Sequence, residues 1–163
     1  MQHTYVIATD GLCKNNQAAG GQKGTWAFVV YRTDTAKILG GKQGHDASTT
    51  NNRMEMVAML EALKWFAKVN SNASAQIISD SSLVVQGLTS WMEGWKKKGW
   101  KKSDGNPVEN KDLWVELYTA YQAVKSRVEV VKVKGHGDGQ TLHSRLNNAA
   151  DSACNDEYIN KFL

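Results

Sequence analysis

An α/β fold, with a mixed five-stranded sheet covered by helices, is predicted by three observations on the sequence. Five short segments are rich in β-branched or aromatic residues and bounded by Gly, Asn or Asp, and other stretches space their apolar residues at helical intervals. Their order is the third: three strands come first as a group, then strands alternate with helices. Such an order joins an antiparallel meander to parallel strands through helical crossovers.

Residues 5–8 (Tyr-Val-Ile-Ala) give the first strand, 26–31 the second and 37–43 the third. Residues 52–69 carry a long helical pattern, and 76–79 form the next strand, closed by Asp80-Ser81-Ser82. Helices follow over 82–88 and 110–126, with a shorter one over 91–100 leading into a cluster of lysines. A fifth strand spans 128–134 and a last helix 147–162, with neither repeats nor a low-complexity linker between them. The 163 residues suit one domain that buries a real core.

Composition removes several classes. Hydrophobic residues at 41%, six tryptophans and one proline exclude a disordered or collagen-like chain, and no apolar run is long enough to cross a bilayer. The N-terminus has neither a basic leader nor a long apolar stretch, so no secretory signal is expected and the cytoplasm is the default. Cys13 and Cys154 lack metal-ligand spacing and are expected to be reduced.

Charge is local. Lys and Arg number 20 against 16 Asp and Glu, but Lys96, Lys97, Lys98, Lys101 and Lys102 supply five of the 20. The rest of the chain, 15 basic against 16 acidic residues, is nearly neutral. A cationic segment on such a body is either a solvated loop or the docking place of a polyanion. Trp91, Trp95, Trp100 and Trp114 lie in or beside it, where rings serve either the core or stacking against sugars and bases.

Two carboxylates fall on apolar helix faces. At about 100° per residue, Glu55 shares its stripe with Met59, Ala62 and Phe66, away from Glu61, Lys64 and Lys68. Asp151 projects with Cys154, Tyr158 and Phe162. A buried, unpaired carboxylate costs several kcal/mol, so each must be protonated, paired or cation-bound. Helix capping is the plain alternative: Glu55 in a capping box begun by Asn52, and Asp151 in a first turn capped by Asn147. Asp10 and Asp80 follow strands, where ligands bind, but Asp10-Gly11 is also a turn dipeptide and Asp80 a potential cap. As a set, the four oxygen donors point to a hard cation, Mg²⁺ or Mn²⁺ rather than zinc.

His136 sits in Gly135-His136-Gly137-Asp138-Gly139, a glycine loop after the fifth strand, either solvated or able to carry protons near the carboxylates. Gly20, Gly21 and Gly24 match neither a Walker loop nor a dinucleotide fingerprint, and no HExxH, CxxC or GxSxG motif occurs. No nucleotide cofactor is therefore expected.

In order along the chain stand Thr9-Asp10-Gly11, Thr50-Asn51-Asn52-Arg53-Met54-Glu55, Ser79-Asp80-Ser81, Val133-Lys134-Gly135-His136 and Asn147 through Asp151. With them the sequence resembles a type 1 ribonuclease H over essentially its whole length, including, at about 91–110, the basic handle of bacterial and animal members. The resemblance implies a ribonuclease H-like fold, a five-stranded mixed sheet flanked by helices on both sides, in one catalytic domain over 1–163. It implies two Mg²⁺ ions, with Mn²⁺ as the alternative, held by Asp10, Glu55, Asp80 and Asp151, with His136 assisting proton transfer or product departure. The substrate would be an RNA/DNA hybrid, whose RNA strand is cut to 5′-phosphate and 3′-hydroxyl ends.

By the same resemblance, Asn16, Asn51 and Asn52 match positions that contact the 2′-hydroxyl. Thr50 and Asn110 match a pocket for a DNA-strand phosphate and Trp91 an aromatic channel wall, while Trp100 and Lys96, Lys97, Lys98, Lys101 and Lys102 belong to the handle. The chain departs from the family at Gln17-Ala18-Ala19, at Leu83 and in its longer loop from His136 to Asp151. A monomer of low processivity is expected. The rival readings are a binding module that has lost catalysis and another nuclease or transposase sharing the sheet.

Overall fold

The computed structural model describes residues 2–14 and 22–163; Asn16 and Gln17-Ala18-Ala19 lie outside the described residues. Strands β1 (Tyr5–Lys14), β2 (Gln22–Arg32) and β3 (Lys37–Thr49) form an antiparallel meander. Helix α1 (Asn51–Ala67) crosses to β4 (Ala75–Ser79), which lies parallel to β1. Helix α2 (Ser82–Gln86), a π turn (Gly87–Trp91), α3 (Met92–Lys97), α4 (Lys111–Val124) and a 3₁₀ turn (Lys125–Arg127) lead to β5 (Val128–Lys132), parallel to β4. Helix α5 (Leu142–Phe162) ends the fold, and the sheet order is β3-β2-β1-β4-β5. This is the mixed five-stranded sheet that the sequence predicts. Among the described residues no helix is long and apolar enough to cross a membrane.

The alternation of β1 builds two cores, because successive side chains leave a strand on opposite faces. Tyr5 and Ile7 enter the larger core with Met56, Met59, Leu63 and Phe66 of α1. Val6 and Ala8 enter the smaller one with Ile78 and with Leu146 and Ala150 of α5. Helices therefore cover both faces, and the central strand is sealed between them.

Several boundaries differ from the sequence expectation, each for an identifiable reason. Strand β1 does not turn at Asp10-Gly11: it runs on to Lys14 because β2 keeps pairing with it, Asp10 opposite Ala27 and Gly11 opposite Trp26. The parallel ladder to β4 stops at Thr9 opposite Ser79, so Asp10 stands just past it. Strands β2 and β3 are likewise longer than 26–31 and 37–43, since their pairing reaches Gln22 opposite Thr49. The helix predicted over 91–100 ends at Lys97, where Gly99 and Trp100 adopt positive φ of 70° and 63°. Helix α5 starts five residues before the predicted 147, capped by Thr141, whose hydroxyl accepts from Ser144 N at 3.1 Å.

Candidate active site

The plain explanations of the inward carboxylates fail. The N-cap of α1 is Thr50, whose Oγ1 accepts from Arg53 N at 3.2 Å, so the capping-box position belongs to Arg53 and not to Glu55. The cap of α2 is Ser81 rather than Asp80. Asn147 is buried inside α5 and Asp151 lies beyond its first turn, where the helix dipole gives little.

What remains is a cluster. Asp10 from the end of the parallel ladder, Glu55 from α1 and Asp80 from the end of β4 each bring a carboxylate oxygen within 4.8 Å of the others. Asp151 approaches from α5 close enough for Asp10, when protonated, to donate to it. Asp10 and Glu55 are buried, and Asp80 is half-buried. Among the described residues no Lys, Arg or His pairs with any of the four.

Burial pushes the Asp10 carboxyl up to about 7, and the charges of Asp80 and Asp151 add to it, while a proton donated from Glu55 acts the other way. Glu55 is raised well above the ordinary carboxylate range, first by burial and then by the charges of Asp10 and Asp80. Its Oε1 is buried without a hydrogen-bond partner. An orphaned acceptor beside two like charges is a group that a hard cation would satisfy, and the all-oxygen donor set fits one.

The close approach of these groups has a backbone cause. A Cβ at Gly11 would collide with the amide nitrogen of Glu55 and the carbonyl carbon of Met54, so only glycine lets β1 and α1 meet there. On the opposite face, Thr25 Oγ1 donates to the Cys154 carbonyl at 2.8 Å, and Cys154 Sγ donates to the Asp10 carbonyl at 3.4 Å. Burial, with the nearby Asp10 and Glu55 charges, raises the Cys154 thiol and keeps it a donor. Both cysteines are free. Thus Cys154, one turn past Asp151, ties α5 to the strand that carries Asp10. Sequence reasoning marked the stripe containing Cys154 but missed Thr25 and the contact role of Gly11; threonine in a strand carries no distinguishing signal.

The loop after β5 passes against the same cluster: a Cβ on Gly135 would lie 2.9 Å from Asp80 Oδ2. The adjoining His136 is exposed, has a φ of 53° and lines an open cleft of about 590 Å³ with Lys134 and His143. Asn148 Nδ2 donates to the Gly137 carbonyl at 3.2 Å, and Gly139 N donates to Ser144 Oγ at 2.7 Å. The loop is therefore fastened to the start of α5.

The family model for RNase H matches residues 2–158, nearly the whole chain. The chain belongs to the RNase H family. A ribonuclease H of Caulobacter sp. (strain K31) is 42% identical over 137 residues, covering 83% of this chain and 80% of the relative. A type 1 RNase H with the type 2 active-site motif superposes with a TM-score of 0.73 at 27% identity, over 96% of this chain and 74% of that one. The foamy viral protease-reverse transcriptase, solved in complex with RNA/DNA hybrid, matches with a TM-score of 0.83 at 15% identity; the match covers 95% of this chain and 20% of the viral chain. RNase H enzymes are divalent-metal-dependent nucleases, and the acidic cluster is, among the described residues, a place that suits a divalent cation.

The other residues singled out from the sequence lie elsewhere on the RNase H fold, most of them on α1, α3, α4 and the segment between α3 and α4. Thr50, Asn51 and Asn52 are exposed at the start of α1. Asn110, with φ of 58°, begins α4 and accepts from Arg53 Nη1 at 3.2 Å, and Arg53 also grips Asp112 at 2.8 and 3.0 Å. The Thr50 and Asn110 positions are thus tied through Arg53, a link that sequence spacing did not show. Trp91 is 38% exposed, whereas Trp114 is core and Trp95 and Trp100 pack partly against it. Lys96, Lys97, Lys98, Lys101 and Lys102 are all exposed. Leu83 is half-buried against the α1-side core.

Proposed function

We propose that this chain, acting as one catalytic unit and as a monomer, cuts the RNA strand of RNA/DNA hybrids with two Mg²⁺ ions held by Asp10, Glu55, Asp80 and Asp151. The carrying observation is the trio of carboxylates within 4.8 Å, one with an orphaned oxygen and, among the described residues, none with a basic partner. All four acids come from one chain, so no second copy is needed to complete the site. The hybrid seen with the foamy viral structural neighbour supports the substrate class.

Divalent cations there would supply Lewis-acid stabilisation at phosphorus and a more acidic water. The protein's own part is to hold the four acids together and to release their shared protons as the site is loaded. His136, on its tethered loop beside Asp80, is the group suited to carry a proton toward or away from the cut, leaving 5′-phosphate and 3′-hydroxyl ends. Asn16, Asn51 and Asn52 would read the 2′-hydroxyl, the group that marks the RNA strand. Thr50 and Asn110 would grip a DNA-strand phosphate. Trp91 would offer a ring to the DNA strand, and the handle around 91–110, with its lysines and Trp100, would supply salt-sensitive affinity.

The test is a gel with labelled hybrid, double-stranded RNA and double-stranded DNA, each with Mg²⁺ or EDTA. Only the hybrid with Mg²⁺ should be cut, and Asp10→Asn should reduce cutting by at least a hundredfold while hybrid binding persists. A wild-type protein that binds hybrid and never cuts it would make the chain a binding module instead.

A further inference from the structure

Resting on that reading, we propose that Lys14 and Lys23 form a clamp for backbone phosphates of the strand being cut, on the body of the molecule and apart from the lysines at 96–102. The β1–β2 register sets Lys14 directly opposite Lys23, an arrangement of like charges that destabilises a sheet unless something offsets it. Among the described residues neither lysine has a carboxylate partner, and residues 15–21 between them contain no Asp or Glu. Glu157, the buried acid of the neighbouring α5, is engaged by His45 Nδ1 at 3.0 Å.

Each ammonium instead rests on a ring of α5. Lys14 Nζ lies 4.8 Å from the centroid of Tyr158, and Lys23 Nζ lies 5.6 Å from that of Phe162. Cation–π contact holds the two charges in place without neutralising them. An uncompensated, positioned pair of cations is an anion site in waiting.

Its position supplies the ligand. Val6 and Ala8 enter the α5-side core, so two-residue alternation puts Asp10 and Lys14 on that face too. Lys14 stands four residues beyond Asp10, roughly 13 Å along the strand. Tyr158 stands seven residues beyond Asp151, roughly 10 Å along α5 in the same direction. A nucleic-acid strand presents one phosphate per about 3.4 Å of axis. A strand that runs along β1 from a scissile phosphate at the carboxylates would bring a phosphate a few nucleotides away to the lysines.

The experiment is the salt dependence of KM for hybrid cleavage by wild type, by the Lys14→Gln/Lys23→Gln double variant and by the Lys14→Arg/Lys23→Arg pair. The glutamine pair should raise KM several-fold at low salt and lower the slope of log KM against log salt by about one to two, and the arginine pair should restore both. On hybrids ending two nucleotides from the cut, the deficit should vanish for truncation on one side of the cut and persist for truncation on the other. A wild-type salt slope in the glutamine pair overturns the clamp, and so does a deficit indifferent to truncation. A fall in melting temperature with no change of slope makes the lysines structural and also overturns it. If wild type cuts no hybrid, the failure belongs to the proposed function; if it cuts and the slopes coincide, only the clamp fails.

Discussion

Asp10 carries, with Glu55, the electrostatic cost of the site. Its carboxyl is held at about 7 in the folded, metal-free protein against an ordinary 3.8, because burial and the charges of Asp80 and Asp151 disfavour ionisation. A folded pKa above the unfolded one means that the native state holds the extra proton. The contribution of Asp10 to the stability of the metal-free fold is then fully present below about pH 4, is lost as pH rises toward 7, and stays lost above that. That difference corresponds to about 4 kcal/mol, or roughly 8–16 °C in melting temperature for a chain of this size. Asp10→Asn removes this ionisation, so in EDTA its melting temperature should fall less than that of wild type between pH 5 and pH 8. Identical profiles for the two proteins would place the strain elsewhere. In wild type, Mg²⁺ should restore melting temperature at pH 8, since a ligand of the native state stabilises it by mass action.

At the scale of elements, the site depends on how closely β1 and α1 can run. Gly11→Ala puts a methyl group into the backbone of residues 54 and 55, which a helix cannot yield without moving as a whole. The expected result is a loss of about 2–4 kcal/mol, read by denaturant unfolding, with nuclease activity falling more steeply than stability because Glu55 moves away from Asp10. Activity that falls only in step with stability would show the approach to be mere packing. The sequence made Glu55 legible through its place among Met59, Ala62 and Phe66, and Asp151 through Cys154 and Tyr158, because helical periodicity is local. Gly11 was not legible. Asp10-Gly11 has the chemistry of a turn, and only the pairing of β1 with β2 keeps it extended. The start of α5 was missed for a similar reason: Thr141 caps a first turn whose Leu142 and His143 show no strong amphipathic pattern. Long-range ladders and caps overrode local propensity in both cases.

For the whole molecule, the decisive asymmetry is a nearly neutral body carrying an anchored basic segment. Trp95 packs edge-on to the buried Trp114 at 5.3 Å, Trp100 packs against Tyr118 at 6.0 Å, and Lys96 Nζ lies 5.3 Å over the Tyr118 ring. Arg53 joins α4 to α1 through Asp112, which links the lysine-bearing region to the helix carrying Glu55. The segment that carries the lysines is thus packed against α4 through Trp95, Trp100 and Lys96, and under the proposed function it would draw a polyanion to that side of the molecule. Each phosphate contact contributes about 0.9 to the slope of log affinity against log salt. Replacing Lys96, Lys97, Lys98, Lys101 and Lys102 together by Gln should therefore lower that slope by at most about 4.5, measured by fluorescence anisotropy with a labelled hybrid between about 50 and 200 mM salt. The variant's binding curve should approach that of wild type as salt rises, because the missing interactions are the ones that ions screen. Parallel lines separated by a constant offset would mean that the segment contributes through packing of its tryptophans and not through its charge.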